Sequence, residues 1–92
     1  MSDYKLEFTT RMARDYKRVK KQGRDIAKLR SVLVMLCAGA PLPPSCNDHA
    51  LAGRWRGARD CHIEPDWVLI YRKDKNRLIL QALATGSHTD LF

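Results

Sequence analysis

Cys61-His62-Ile63-Glu64-Pro65-Asp66-Trp67-Val68-Leu69-Ile70-Tyr71 sets a histidine and a carboxylate at a proline-marked break, and an apolar run, Trp67 to Tyr71, follows at once. Such a run is strongly strand-like and would anchor both polar groups to a rigid sheet. The plainer reading is a hairpin corner whose Asp and His make local hydrogen bonds, since turns favour these residues whatever their function. Two more histidines, His49 and His88, bear on the choice, so the flanking chain has to say where they fall.

Three strand candidates close the chain: about Ala58 to Ile63, Trp67 to Lys73 and Arg77 to Ala84, with Asp74-Lys75-Asn76 as a short hairpin turn. They predict an antiparallel meander. In the last strand Leu78, Leu80 and Ala82 fall on one face and Ile79, Gln81 and Leu83 on the other, which predicts helices over the first face and partial cover on the second. Thr85-Gly86-Ser87-His88 follows, where Gly86 permits a tight turn that would deliver His88 beside His62.

Upstream, Tyr4 to Phe8 alternates apolar and charged residues and reads as a half-buried strand near a sheet edge. Thr9 or Thr10 can cap a helix from about Thr10 to Gln22 whose Met12, Tyr16 and Val19 share a face, with Gly23 as its stop. Asp25 can cap a second helix whose wider stripe, Ile26, Leu29, Val32, Leu33 and Leu36, suits packing flat on the sheet before Gly39 and Pro41 end it. Gly39 to Asn47 holds three prolines and predicts an ordered loop. Asp48 to Gly57 then brings His49 near a turn and sets Trp55 between two arginines, as a core plug or a base-stacking surface, the core being favoured. The fold class expected is α+β, one domain over residues 1–92, with an N-terminal strand and a two-helix hairpin packed on a small antiparallel sheet.

Ninety-two residues, 45% of them apolar, support one core and no second domain. Cys37, Cys46 and Cys61 are odd in number and form no Cys-x-x-Cys pair, so they read as reduced thiols, two of them buried. Met1 to Lys5 carries no leader-like pattern, and no run approaches the roughly 20 apolar residues of a membrane span, so a cytoplasmic protein without membrane contact is expected. Charge is uneven. Between Thr9 and Arg30 nine bases face only Asp15 and Asp25, which accounts for the whole net charge of +7. A field concentrated on one helical region fits a polyanion, with Lys17, Arg18, Lys20 and Lys21 at its centre; a merely solvated helix face is the alternative.

His49, His62, Asp66 and His88 form the candidate catalytic set, each at a loop or strand edge outside that basic region. Metal-free RNA cleavage needs a base for the ribose 2′-OH, an acid for the leaving 5′-oxygen and positive charge on the phosphorane. Histidine suits both proton roles near neutral pH, and a nearby Asp can tune it or fix its tautomer. His88 is the expected acid and Asp66 the expected base, with His49 and His62 tuning or substituting for it. Arg59, Arg72 or Arg77 would supply charge. A zinc site built from the histidines is weaker, because no two stand at i, i+2 or i, i+4, and three isolated surface histidines are the remaining alternative.

At these residues the chain resembles the YafQ branch of the RelE toxin superfamily, through His62-x-Glu64-Pro65-Asp66-Trp67 and Gly86-Ser87-His88-x-x-Leu91-Phe92 above all, and through the order of elements along nearly its whole length. The resemblance implies a RelE-like microbial ribonuclease fold and a ribosome-dependent endoribonuclease toxin that cuts messenger RNA in the ribosomal A site without a cofactor. It also implies a cognate antitoxin similar to DinJ, held in a hetero-oligomer. By position it marks His49, His62, Asp66, His88 and Phe92, with Trp67 beside them; Phe92 would stack on a messenger base. The chain departs from its relatives at Ala84, where an arginine is common, so Arg59 and Arg77 become the candidate phosphate-binding cations. Two rival functions stand beside this one: a gyrase-poisoning toxin of the same fold that cuts nothing, and a plain RNA-binding module.

Overall fold

A computed structural model describes residues 3–92 of the protein. Both long helices start at the expected caps. The Thr9 hydroxyl accepts the Met12 amide at 3.0 Å to open α1 (Thr10–Lys21), and the Asp25 carboxylate accepts the Ala27 amide at 3.1 Å to open α2 (Ile26–Cys37). Thr9 does more than cap, because its hydroxyl also donates to the Leu83 carbonyl at 2.9 Å and so ties the helix start to the sheet. A Thr9→Ala variant should therefore lose about 1–2 kcal/mol of unfolding free energy in a urea titration, the upper part of the range for cap removal.

Five strands follow the order β1-β5-β4-β3-β2: β1 (Lys5–Phe8), β2 (His49–Ala50), β3 (Arg59–Glu64), β4 (Trp67–Asp74) and β5 (Ile79–Gly86). β2 to β5 pair antiparallel, as the meander predicted, but β1 pairs parallel with β5, so the sheet is mixed. The long intervening chain makes this possible, since parallel neighbours need a crossover and α1, α2 and the meander supply one. β1 is also more open than expected: all four of its residues are exposed rather than half-buried, because nothing among the described residues pairs with its outer edge.

β4 lies at the centre, and Trp67 to Tyr71 are each at most 1% exposed. An unbroken apolar run is what a strand covered on both faces requires. On one face Trp67, Leu69, Tyr71, Leu80 and Ala82 join Met12 and Val19 of α1 and Leu29, Val32, Leu33 and Leu36 of α2. On the other, Val68, Ile70 and Ala84 meet Ala58 and Leu91, with Leu51, Trp55 and Leu83 partly buried around them. Trp55 is thus a half-buried plug, its indole Nε1 donating to the Leu91 carbonyl at 3.2 Å.

The β4–β5 hairpin is longer than expected. Asp74 Oδ1 accepts the amides of Asn76 (3.1 Å) and Arg77 (3.0 Å), which winds the turn through Leu78 and starts β5 at Ile79. Leu78, expected on the covered face, is instead an exposed turn residue at φ +54°. At the other end β5 runs on through Thr85 and Gly86, and a capping box between Ser87 and Asp90 then opens α3 (His88–Leu91). The proline-rich stretch forms one 3₁₀ turn, Pro44–Cys46, that seats Cys46 in the core. All three cysteines are free thiols; Cys46 and Cys61 are buried and Cys37 is half-buried. Among the described residues no helix is long and apolar enough to cross a membrane.

Candidate active site

His62 and Asp60 alternate on one face of β3, and the β2–β3 register sets His49 opposite Asp60. Across the cleft, β5 and its Ser87 cap deliver α3, whose first residue is His88. The two elements bring His62 Nε2 to 3.4 Å from His88 Nε2, with ring centroids 5.2 Å apart. A nitrogen-to-nitrogen hydrogen bond requires one ring to carry its proton at Nε2 and the other to present a lone pair there. The pair therefore holds one donor and one acceptor at the same spot.

Asp66, on the Pro65–Asp66 turn between β3 and β4, stands with Oδ1 3.9 Å from His88 Nδ1 and its side chain largely in solvent. The Phe92 ring lies 5.9 Å from the His88 ring and is 54% exposed, open to a stacking partner. His62, Asp66, His88 and Phe92 thus form one cluster at one end of the sheet, with Glu64 and Pro65 at its border.

His49 joins through a residue that composition and spacing did not single out. Asp60 is 2% exposed, and its Oδ1 lies 3.0 Å from His49 Nδ1. That nitrogen is also 2.8 Å from the Asn47 carbonyl, which can only accept, so Nδ1 carries a proton. Burial pushes the Asp60 carboxyl above its ordinary value, while the positive charge that His49, His62 and His88 carry when protonated acts to lower it. Asp60 thus contacts His49 directly and feels the other two histidines electrostatically. Its one visible signal was its place two residues before His62; its meeting with His49 depends on the β2–β3 pairing.

The raised Asp60 value has a consequence for stability. Folding favours the protonated acid, so the contribution is present below the ordinary carboxylate range and is lost as pH rises through the raised value. Asp60→Asn should then match the parent in acid and exceed its urea midpoint at neutral pH; a lower midpoint at neutral pH would show that the charged form is the stabilising one.

Other expected site residues fall elsewhere. Trp67, expected at the substrate, is fully buried, and its Nε1 donates to Thr85 Oγ1 at 2.9 Å, so it supports the site from within the core. Arg59 is held by Asp48, with Nε 3.1 Å from Oδ1, and the same carboxylate oxygen accepts the Tyr71 hydroxyl at 2.7 Å. Arg77 sits in the β4–β5 turn, at the opposite end of an eight-residue strand from Trp67 and so about 20 Å from the cluster. Arg72 is the strand neighbour of Gln81 toward that far end. Ala84 is buried in the second core layer. The arginine that the fold does set against the Glu64–Trp67 corner is Arg24, 5.4 Å from the Trp67 ring centroid and 3.9 Å from a Glu64 oxygen. In the basic region Lys17, Lys20 and Lys21 are exposed, whereas Arg18 is turned onto Asp15 at 2.8 Å.

Residues 4–92 match the family described as bacterial toxin of type II toxin-antitoxin system, YafQ. The chain is 39% identical over 89 residues to the mRNA interferase toxin YafQ of Escherichia coli strain K12, covering 95% of this chain and 94% of that one. Its fold superposes on the crystal structure of YafQ from E. coli strain BL21(DE3) with a TM-score of 0.90 at 34% identity, covering 97% and 98% of the two chains. It also superposes on YafQ in the E. coli DinJ-YafQ toxin-antitoxin complex, with a TM-score of 0.88 at 36% identity and 98% of each chain covered. The chain belongs to the YafQ family of bacterial toxins of type II toxin–antitoxin systems.

Proposed function

We propose that this chain is an mRNA interferase, a ribosome-dependent endoribonuclease that cuts messenger RNA in the ribosomal A site by acid–base chemistry. The observation that carries the reading is the His62–His88 contact with Asp66 and Phe92 against it, an open cluster holding proton donor, acceptor and stacking ring together. In the step proposed, the 2′-oxygen attacks phosphorus as its proton passes to Asp66. The phosphorus–O5′ bond breaks as His88 protonates O5′, leaving a 2′,3′-cyclic phosphate and a 5′-hydroxyl. His62 holds His88, and His49 with Asp60 completes the field around them. Arg24, with Lys28 beside it on Glu64, supplies the positive charge at that corner, in the role first expected of Arg59 or Arg77.

The exposed bases of α1 serve to hold ribosomal RNA. Lys17, Lys20 and Lys21 changed together to Gln should weaken ribosome binding and flatten its dependence on salt, by roughly one unit of slope for each phosphate no longer neutralised. Unchanged binding by normally folded protein would leave the patch a solvated face. Arg18 is kept out of this set because it is bonded to Asp15.

Toxins of this kind need a silencer, and a relative is solved with DinJ. For this chain the partner is a DinJ-like antitoxin in a hetero-oligomeric complex: an acidic segment that folds on binding, pairs with the helix bases and covers His88 and Phe92. It acts in the cytoplasm, where its ribosomes are. The deciding experiment is induction in cells with mapping of messenger 5′ ends. New ends within reading frames support the proposal, and DNA damage with intact messages would replace it with a gyrase inhibitor.

A further inference from the structure

Asp15 is 4% exposed on a helix whose other buried residues are Met12 and Val19, and the proposed cleavage reaction makes no use of it. Its Oδ1 accepts from Arg18 Nη1 at 2.8 Å, and its Oδ2 accepts the Thr85 amide at 3.1 Å and Arg11 Nε at 3.4 Å. Arg18 Nη2 in turn donates to the Thr85 carbonyl at 2.8 Å. The ion pair therefore takes up both backbone polar groups of Thr85. These groups lie past the end of β1, whose register with β5 stops at Phe8 and Ala82, so two side chains stand where a strand partner has run out. The Thr85 hydroxyl is fixed as well, donating to the Val68 carbonyl at 2.8 Å while accepting from Trp67.

The next residue carries the constraint forward. A Cβ on Gly86 would lie 2.7 Å from Arg18 Nη2 and 3.0 Å from Asp90 Oδ2, so any side chain here would have to push the Arg18 guanidinium off its seat; what glycine supplies is close approach, not a turn conformation. Ser87 then caps α3, and His88 is its first residue. Four residues cannot hold a helix by their own hydrogen bonds, so α3 takes its place from what is fixed on either side of it.

We propose that Asp15 and Arg18 are positioning residues for His88: the ion pair of buried Asp15 with half-buried Arg18 clamps the Thr85–Gly86 strand end and so sets the helix start that brings His88 to His62. The proposal rests on the reading of His88 as a catalytic acid. It also separates Arg18 from the neighbouring lysines, which face solvent.

Arg18→Lys is the informative variant, since it keeps the charge a ribosome contact would use and removes the planar fork that spans Asp15 and Thr85. The expected result is a roughly tenfold fall in kcat for messenger cleavage on programmed ribosomes, with KM for ribosomes and its salt dependence unchanged. The His88 ring resonances, which sense the His62 and Phe92 rings, should shift. In a His88→Ala background, Arg18→Lys should add no further loss. Unchanged kcat with raised KM would make Arg18 a ribosome contact, and losses that add in the His88→Ala background would make the pair merely structural; either overturns the clamp. Unmoved His88 resonances in folded Arg18→Lys protein would do the same. Asp15→Asn repeats the test from the other partner, and Arg18→Lys carries it alone if that variant does not fold. Full cleavage by His88→Ala would sink the catalytic reading, while the resonance measurement would still decide whether the pair sets the His88 ring.

Discussion

His88→Ala protein will bind ribosomes as the parent does and lose messenger cleavage by on the order of 10²-fold or more in single turnover. The loss is large because His88 is where three interactions meet: Nε2 on His62 at 3.4 Å, Nδ1 facing Asp66 at 3.9 Å, and a ring beside Phe92 at 5.9 Å. Removing it deletes the acid and leaves His62 and Asp66 without the group that orders them. Binding should survive, since the exposed lysines of α1 lie on another element. The fold should survive too, because α3 is anchored by buried Leu91 and by the Ser87–Asp90 capping box, not by the largely exposed imidazole. Measured under single-turnover conditions with saturating ribosomes, cleavage within a factor of about three of the parent would end the assignment of His88 as acid. A loss confined to KM would move His88 from chemistry to binding.

The elements that sequence made legible share one property: their signals are local. Thr9 and Asp25 mark helix starts because a side chain meets an amide two or three residues on, and the Trp67–Tyr71 run marks a doubly covered strand because every position is apolar. His62 and Asp66 could be placed together because a single turn joins them, and the expected approach of His88 to His62 needed only β5 to follow β4.

What escaped was set by pairings distant in sequence. The parallel seating of β1 on β5 links residues more than seventy apart, and no periodicity within either strand encodes its direction. The His49 contact of buried Asp60 comes from two-residue β2, too short to leave a pattern. Arg18 looked like one base among nine until Thr85 arrived from the far end of the chain to bond it. Gly86 was expected at a turn and instead ends β5, with the tips of the Arg18 and Asp90 side chains packed on it. Charge counts and turn statistics do not register a neighbour of that kind.

Trp67→Ala will cost about 3–5 kcal/mol of stability, the usual toll of emptying a large aromatic site in a core. That is a substantial share of the roughly 5–15 kcal/mol that holds a natural domain together, so the variant is expected to be partly unfolded at 37 °C. Three losses combine: the indole is fully buried among residues of both helices and the sheet, its Nε1 leaves Thr85 Oγ1 with one partner fewer, and Arg24 loses the ring it lies over at 5.4 Å. Trp67→Phe should recover most of the packing and fall short of the parent by about 1 kcal/mol, the share of the single hydrogen bond. Urea titrations of the three proteins give the stability order, and cleavage scaled to the folded fraction separates core support from contact with substrate. If Trp67→Ala kept the parent's midpoint and lost cleavage alone, the indole would have to leave the core and meet the messenger in the working complex, and the buried position seen here would be only its resting place. The buried hydrogen bond to Thr85 argues against that excursion, since withdrawing the indole would break it and strip the centre of the sheet of its largest side chain.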